Sequence, residues 1–163
     1  MRILYVARHA TAESQSPTGA DFDRPLALRG EIEIDGVANR AAALGLGLDL
    51  IVASPAARTL ATASAYQRAF GLGEGQLKTA RSIYTDETGH LADLVHGLPA
   101  ACHRIMVVGH NPVISRLAHW LEGDDANAEF VPATMAAYRI DANAWGDVHP
   151  ALTRRIALLS PLD

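Results

Sequence analysis

Two histidines and two arginines stand just beyond apolar runs in this chain: Arg8 and His9 after RILYVA, Arg58 four residues beyond Ser54 in SPAAR, and His110 after RIMVVG. A guanidinium fork pairs bidentately with phosphate or carboxylate oxygens. Four cation-capable groups gathered in a chain of net charge −4 would call for an anionic ligand. Phosphate carries more charge and more acceptor oxygens than carboxylate, so it uses such a cluster better. A histidine in that cluster can attack phosphorus through a ring nitrogen and become a covalent phosphohistidine. The second histidine and the arginines would then stabilise charge on the equatorial oxygens of the moving phosphoryl group. Taken singly, each residue has a plainer use: His9 a surface hydrogen bond, Arg8 a solvated loop charge, Arg58 an exposed helix position, His110 a neighbour of a helix cap. Chemistry follows only if the fold collects them on one rim.

The elements between them can do so. RILYVA (Arg2–Ala7) reads as a strand, and a polar loop with Pro17, Gly19 and DFDRP follows. LRGEIEIDGVANRAAALGL then repeats Ile34, Val37, Ala38, Ala41 and Leu44 at helical spacing. Leu48–Ser54 predicts a second strand and PAARTLATASAYQRAFG a second helix, opened by Pro55 and closed by Gly71. LKTARSIY suggests a short strand, and GHLADLVHGL a helix with Leu91, Leu94, Val95 and Leu98 on one face. Arg104–Gly109 is the third clear strand, followed by the helix PVISRLAHWLEG, with Pro112 as its opener and Trp120 on its apolar side. MAAYRIDA and TRRIALLS offer two further strands, expected to pair near a sheet edge.

Strands alternating with helices imply right-handed crossovers and an α/β fold, a three-layer α/β/α sandwich around a mostly parallel sheet. Parallel strands place their carboxyl ends on one edge, where open α/β sheets bind ligands. His9, Ser54 and His110 would share that edge. The 163 residues suit a single domain spanning 1–163. An apolar fraction of 49% and a charged fraction of 20% are those of an ordinary globular protein. The acidic balance argues against a general nucleic-acid or membrane-surface binder. The absence of a signal-peptide apolar core or a membrane-length run points to the cytoplasm. Cys102 is the only cysteine, which excludes an intrachain disulfide and a cysteine-rich metal site. His90, His96, His103, His119 and His149 show no HxH or HExxH spacing, so no metal or other cofactor is expected.

ARHA after the first strand, SPAARTLATA at the second and VGHNP at the third together resemble the histidine phosphatase superfamily, whose members include phosphoglycerate mutases and many phosphatases. Modest length and DRPLALRG resemble its compact branch, the SixA-type phosphohistidine phosphatases. The resemblance runs from Met1 to about the end of the helix after His110. It implies a phosphoglycerate mutase-like fold, His9 as nucleophile, and Arg8, Arg58 and His110 as phosphate-binding partners. Asn111 would support the site by hydrogen bonding or cap the following helix. The family usually has glycine after the nucleophile where this chain has Ala10, which is compatible if the backbone there is ordinary.

Larger family members place a carboxylate mid-chain as general acid for an alcohol leaving group. Here SIYTDETGH offers Asp86 and Glu87, which serve equally as solvated turn residues before a helix. The resemblance thus implies hydrolysis of phosphohistidine through a covalent enzyme intermediate, with a phosphorylated protein as partner. Two alternatives stay open: a phosphatase for a small phosphorylated metabolite, and a phospho-ligand-binding module without turnover. The oligomeric state has no signature in the sequence.

Overall fold

Along the first strand, β1 (Arg2–Arg8), Leu4 and Val6 face one side of a sheet and Ile3, Tyr5 and Ala7 the other, and all are buried. That double-sided burial is why the strand reads as a continuous apolar run rather than an alternating one. The computed structural model describes residues 1–85 and 90–162. Its other strands are β2 (Leu50–Ala53), β3 (Leu77–Thr79), β4 (Arg104–Gly109), β5 (Met135–Ile140) and β6 (Thr153–Leu159). They form a six-stranded sheet ordered β3-β2-β4-β1-β5-β6. The first four strands are parallel, while β5 runs antiparallel to β1 and to β6.

Two helices cover each face. α1 (Leu28–Ala43) sets Ile34, Val37, Ala38 and Ala41, and α2 (Ala57–Ala69) sets Ala63 and Tyr66, against Tyr5, Ile51 and Met106. On the other face α3 (His90–His96) contributes Val95, and α4 (Val113–Glu122) contributes Ile114, Leu117 and Leu121, against Leu4, Val52 and Val107. Trp120 packs at the margin of this core and meets the His96 ring edge-on. The fold is the three-layer, mostly parallel arrangement the alternation implied, with the two C-terminal strands paired at an edge. No helix among the described residues is long and apolar enough to cross a membrane.

Two local readings change. Pro55 does not open α2: the helix starts at Ala57 with Ala56 as its extended N-cap residue. The chain first makes a turn tied by side chains. Ser54 Oγ accepts the Ala56 N–H, and Thr59 Oγ1 lies 2.7 Å from the Ser54 carbonyl oxygen. The strand expected through LKTARSIY ends at Thr79, and Arg81–Ile83 forms a single 3-10 turn that delivers Tyr84 to the rim. Gly71 does close α2, with φ of 68°. Gly30 has a packing reason, because a Cβ there would overlap the Thr11 carbonyl. The first turn of α1 thereby sits directly against the loop that follows His9.

Candidate active site

Strands β2, β4 and β1 are consecutive in the sheet, so their carboxyl ends lie side by side. The ladder pairs Arg8 with Gly109 and Ala53 with Val108, which puts His9, His110 and Ser54 in one row just past the hydrogen-bonded edge. The backbone of His9 is fixed on both sides. Its N–H donates to the Gly109 carbonyl and its own carbonyl accepts the Ala133 N–H, each at 3.0 Å. All four residues singled out for phosphate chemistry come together here.

His9 is 9% exposed, and its Nδ1 stands 2.7 Å from the Ala10 carbonyl oxygen. A carbonyl can only accept, so Nδ1 carries the proton and Nε2 keeps its lone pair. Burial pushes the His9 pKa down to about 4; the Ala10 hydrogen bond opposes that shift, and the Arg58, Arg8 and Arg24 charges reinforce it. The ring is therefore neutral at ordinary pH, the form a nucleophile requires. Ala10 does not adopt positive φ, since among the described non-glycine residues only Ala133 does. Its N–H donates to Thr62 Oγ1 at 3.1 Å, and that hydroxyl donates to the Arg58 carbonyl at 2.8 Å. The loop after the nucleophile is thereby joined to the helix carrying Arg58.

The His110 ring lies 5.4 Å from that of His9 at 60°. Its Nε2 is 2.7 Å from Ser54 Oγ, and its buried Nδ1 has no hydrogen-bond partner. Burial, then the charges of Arg58 and His9, lower its pKa to about 3 against a weaker opposing pull from Asp21. A neutral ring accepting the Ser54 hydroxyl proton at Nε2 would present Nδ1–H as a donor.

Arg8 donates through Nη1 to the Phe130 carbonyl at 2.8 Å, and its buried Nε has no partner. Asn111 does both things the sequence allowed. Its Nδ2 donates to the same Phe130 carbonyl at 3.0 Å, and its Oδ1 accepts the Ser115 N–H at 3.2 Å on the first turn of α4. Arg58 is buried, with Nη1 on the Asp21 carbonyl at 2.8 Å, Nη2 on Asp21 Oδ2 at 3.0 Å, and Nε unpartnered. Three of the four unpartnered buried side-chain nitrogens among the described residues — Arg8 Nε, Arg58 Nε and His110 Nδ1 — belong to this site, the fourth being Arg2 Nε. Unpaired buried donors are costly unless something negative meets them.

Sequence reasoning missed the rim. DFDRP reads as a turn and is one, a 3-10 turn over Asp21–Asp23, but that turn docks on the site. Asp21 also accepts from Arg24 Nε and the Tyr84 hydroxyl, both at 3.0 Å. Burial alone would raise its pKa, yet the hydrogen bonds from Arg58, Tyr84 and Arg24 prevail and hold it at about 2. Phe22 meets Tyr84 edge-on at 5.3 Å, and Tyr84 meets His110 at 5.5 Å. The signal available in the sequence was the acid–aromatic–acid–Arg run itself, which has no periodicity to place it. Asp86 and Glu87, the candidate general acids, lie outside the described residues. Among the described residues no three His, Cys, Asp or Glu side chains gather into a metal-sized cluster.

No protein-family model matches the chain, and no curated protein matches it by sequence. Solved structures do match. A protein from Agrobacterium tumefaciens that carries the name phosphohistidine phosphatase SixA is 28% identical with a TM-score of 0.81, over 98% of this chain and 98% of that one. Another bearing that name, from Nakamurella multipartitia, is 25% identical with a TM-score of 0.81, over 99% of this chain and 97% of that one. A protein histidine phosphatase SixA solved with tungstate shares the fold at a TM-score of 0.83 and 17% identity, covering 98% and 97%.

Proposed function

Starting from a chain that has the phosphoglycerate mutase-like fold and resembles the SixA-type histidine phosphatases from end to end, we propose that it is a phosphatase with His9 as nucleophile and phosphohistidine as substrate. The observation that carries this reading is the pairing of a neutral His9, its Nδ1 on the Ala10 carbonyl, with the unpartnered nitrogens of Arg8, Arg58 and His110. His9 Nε2 attacks phosphorus while those donors hold the equatorial oxygens. Water then hydrolyses the phosphoenzyme, and both of its protons stay with the product as dihydrogen phosphate. Tungstate, held by one of the structural neighbours, has the tetrahedral oxyanion shape such a cradle fits.

The choice of phosphohistidine over an ordinary phosphate ester rests on the leaving group. An alkoxide departs with difficulty unless an acid protonates it. The carboxyl group that the described rim presents, Asp21, is held ionised at about 2 and has no proton to give. A phosphoramidate whose imidazole is already protonated leaves as a neutral base and needs no such acid.

The test is chemical trapping. Rapid quenching of the wild type with a phosphohistidine substrate should capture phosphate on His9 as an acid-labile, base-stable adduct. His9→Ala should abolish turnover with the fold intact by circular dichroism. Undiminished turnover in that variant removes the proposal.

A further inference from the structure

The phosphate cradle is cationic, and the rim beside it presents a carboxylate, Asp21, that Arg58 and Arg24 hold in place. The Asp21 side chain is 53% exposed to solvent and lies beside the half-buried residues Phe22, next in the chain, and Tyr84, whose hydroxyl bonds to it. Its charged and titratable neighbours are Arg24 on its own turn, Arg58 on α2, the Tyr84 hydroxyl beyond β3, and His110 after β4, which feels its charge. Those contacts fix where the carboxylate sits without covering it. A solvent-exposed anion beside two aromatic rings can receive a flat cation. The whole site therefore suits a ligand with a dianionic head and a flat, positively charged leaving group.

We propose that Asp21, assisted by the Phe22 and Tyr84 rings, accepts a hydrogen bond from the distal N–H of the substrate's phosphorylated imidazole and so holds that ring in its protonated, departing form. The proposal rests on the phosphohistidine reading and names the residue that would set the preference for N–P over O–P bonds. The step balances without an external acid. The His9 Nε2 lone pair forms the new bond to phosphorus as the substrate's P–N bond breaks and returns its electron pair to the ring. The product imidazole leaves neutral, keeping its distal proton, and His9 is left phosphorylated on Nε2 with its own proton still directed at the Ala10 carbonyl. Two imidazoles thus exchange one phosphoryl group, each with its far nitrogen bonded to an acceptor. An alcohol leaving group has no such proton to offer, and an anion beside it disfavours the negative charge it develops.

The experiment compares kcat/KM for phosphohistidine and for p-nitrophenyl phosphate, whose leaving group departs as an anion. In Asp21→Asn the ratio of the two should fall about 10-fold or more, the scale of a charge-assisted hydrogen bond. The alkaline limb of the phosphohistidine profile should also move to lower pH, because the bound ring gives up its proton more readily without the carboxylate. Phe22→Leu, which leaves every hydrogen bond of Asp21 in place, should lower the same ratio severalfold. An equal loss on both substrates with an unmoved alkaline limb would show that Asp21 only aligns Arg58, and would overturn the inference while leaving phosphohistidine as the substrate. A wild type that hydrolyses p-nitrophenyl phosphate but not phosphohistidine would instead remove the parent reading.

Discussion

An arginine–aspartate pair stands at each end of the central sheet, and the two are built to opposite purposes. At the amino end, Asp49 accepts Arg104 Nη2 at 2.6 Å, Arg104 Nε at 3.3 Å, and the backbone N–H groups of His103 and Arg104 at 3.1 and 3.0 Å. The carboxylate is saturated, and the pair clips the start of β4 to the residue before β2. At the carboxyl end, Arg58 holds Asp21 through its two terminal nitrogens and keeps Nε buried without a partner. Its side chain is 7% exposed, against 45% for Arg104. The same two residue types thus close one end and leave a donor in reserve at the other. An ion pair marks a site only when it is incomplete and its spare donors converge with others.

The largest expected difference between the two ends is in rate. Arg58→Ala should lower kcat by about 100-fold or more, the usual scale for losing one preorganised donor to developing charge. It should also weaken vanadate binding. Arg104→Ala removes a half-exposed pair at the far edge, worth about 0–1 kcal/mol of stability in water. Steady-state kinetics and a thermal melt on both variants check the contrast. A comparable drop in kcat for Arg104→Ala would mean the two ends are not functionally distinct.

A smaller effect sharpens how the carboxyl end is set. If the Ser54 hydroxyl donates to His110 Nε2, the neutral ring carries its proton on Nδ1, the buried nitrogen that has no partner. Ser54→Ala should free the tautomer and reduce kcat roughly tenfold, the worth of one hydrogen bond of about 1–1.5 kcal/mol. Nitrogen NMR of the ring distinguishes this from mere loosening of the loop. The wild type should show a protonated Nδ1, and a protonated Nε2 would sink the assignment.

What could be read before the structure follows from the same division. Arg8, His9 and His110 were legible because each ends a strand whose apolar run is unmistakable, and parallel strands must end on one edge. Arg58 was legible as a first-turn residue after the second strand, although Pro55 was wrongly made the helix opener. The side-chain bonds of Ser54 and Thr59 that form the preceding turn leave no trace in a hydrophobic pattern. Asp21, Phe22 and Tyr84 were not legible. Asp21 and Tyr84 bond to each other across the rim, from loops separated by two helices and two strands, and only the tertiary fold brings them together. The local chemistry of DFDRP correctly gave a turn, and nothing local says what a turn will dock against.

The two ends should also part company on acidification. An unfolded histidine takes a proton near pH 6.5, whereas burial keeps His9 neutral down to about 4 and His110 down to about 3. Between those values the unfolded chain binds protons that the native site refuses, so stability falls as pH falls. The contribution is fully present above about 6.5 and is lost progressively toward pH 4, by no more than about 1.4 kcal/mol per histidine per pH unit. Asp49 is different: its Arg104 hydrogen bonds hold its pKa below the usual value, so its share of stability fades only as pH drops below about 3.8. Thermal melts from pH 7 to pH 5 therefore separate the two ends, because Asp49 stays ionised in both states throughout that window. The wild type should lose stability across it, and a His9→Gln, His110→Gln double variant should lose less. Asp49→Asn should retain the wild-type slope there while lying lower at every pH. Parallel curves for the wild type and the double variant would mean that the two histidines are not buried neutral, and that the proposed nucleophile is not poised as its geometry indicates.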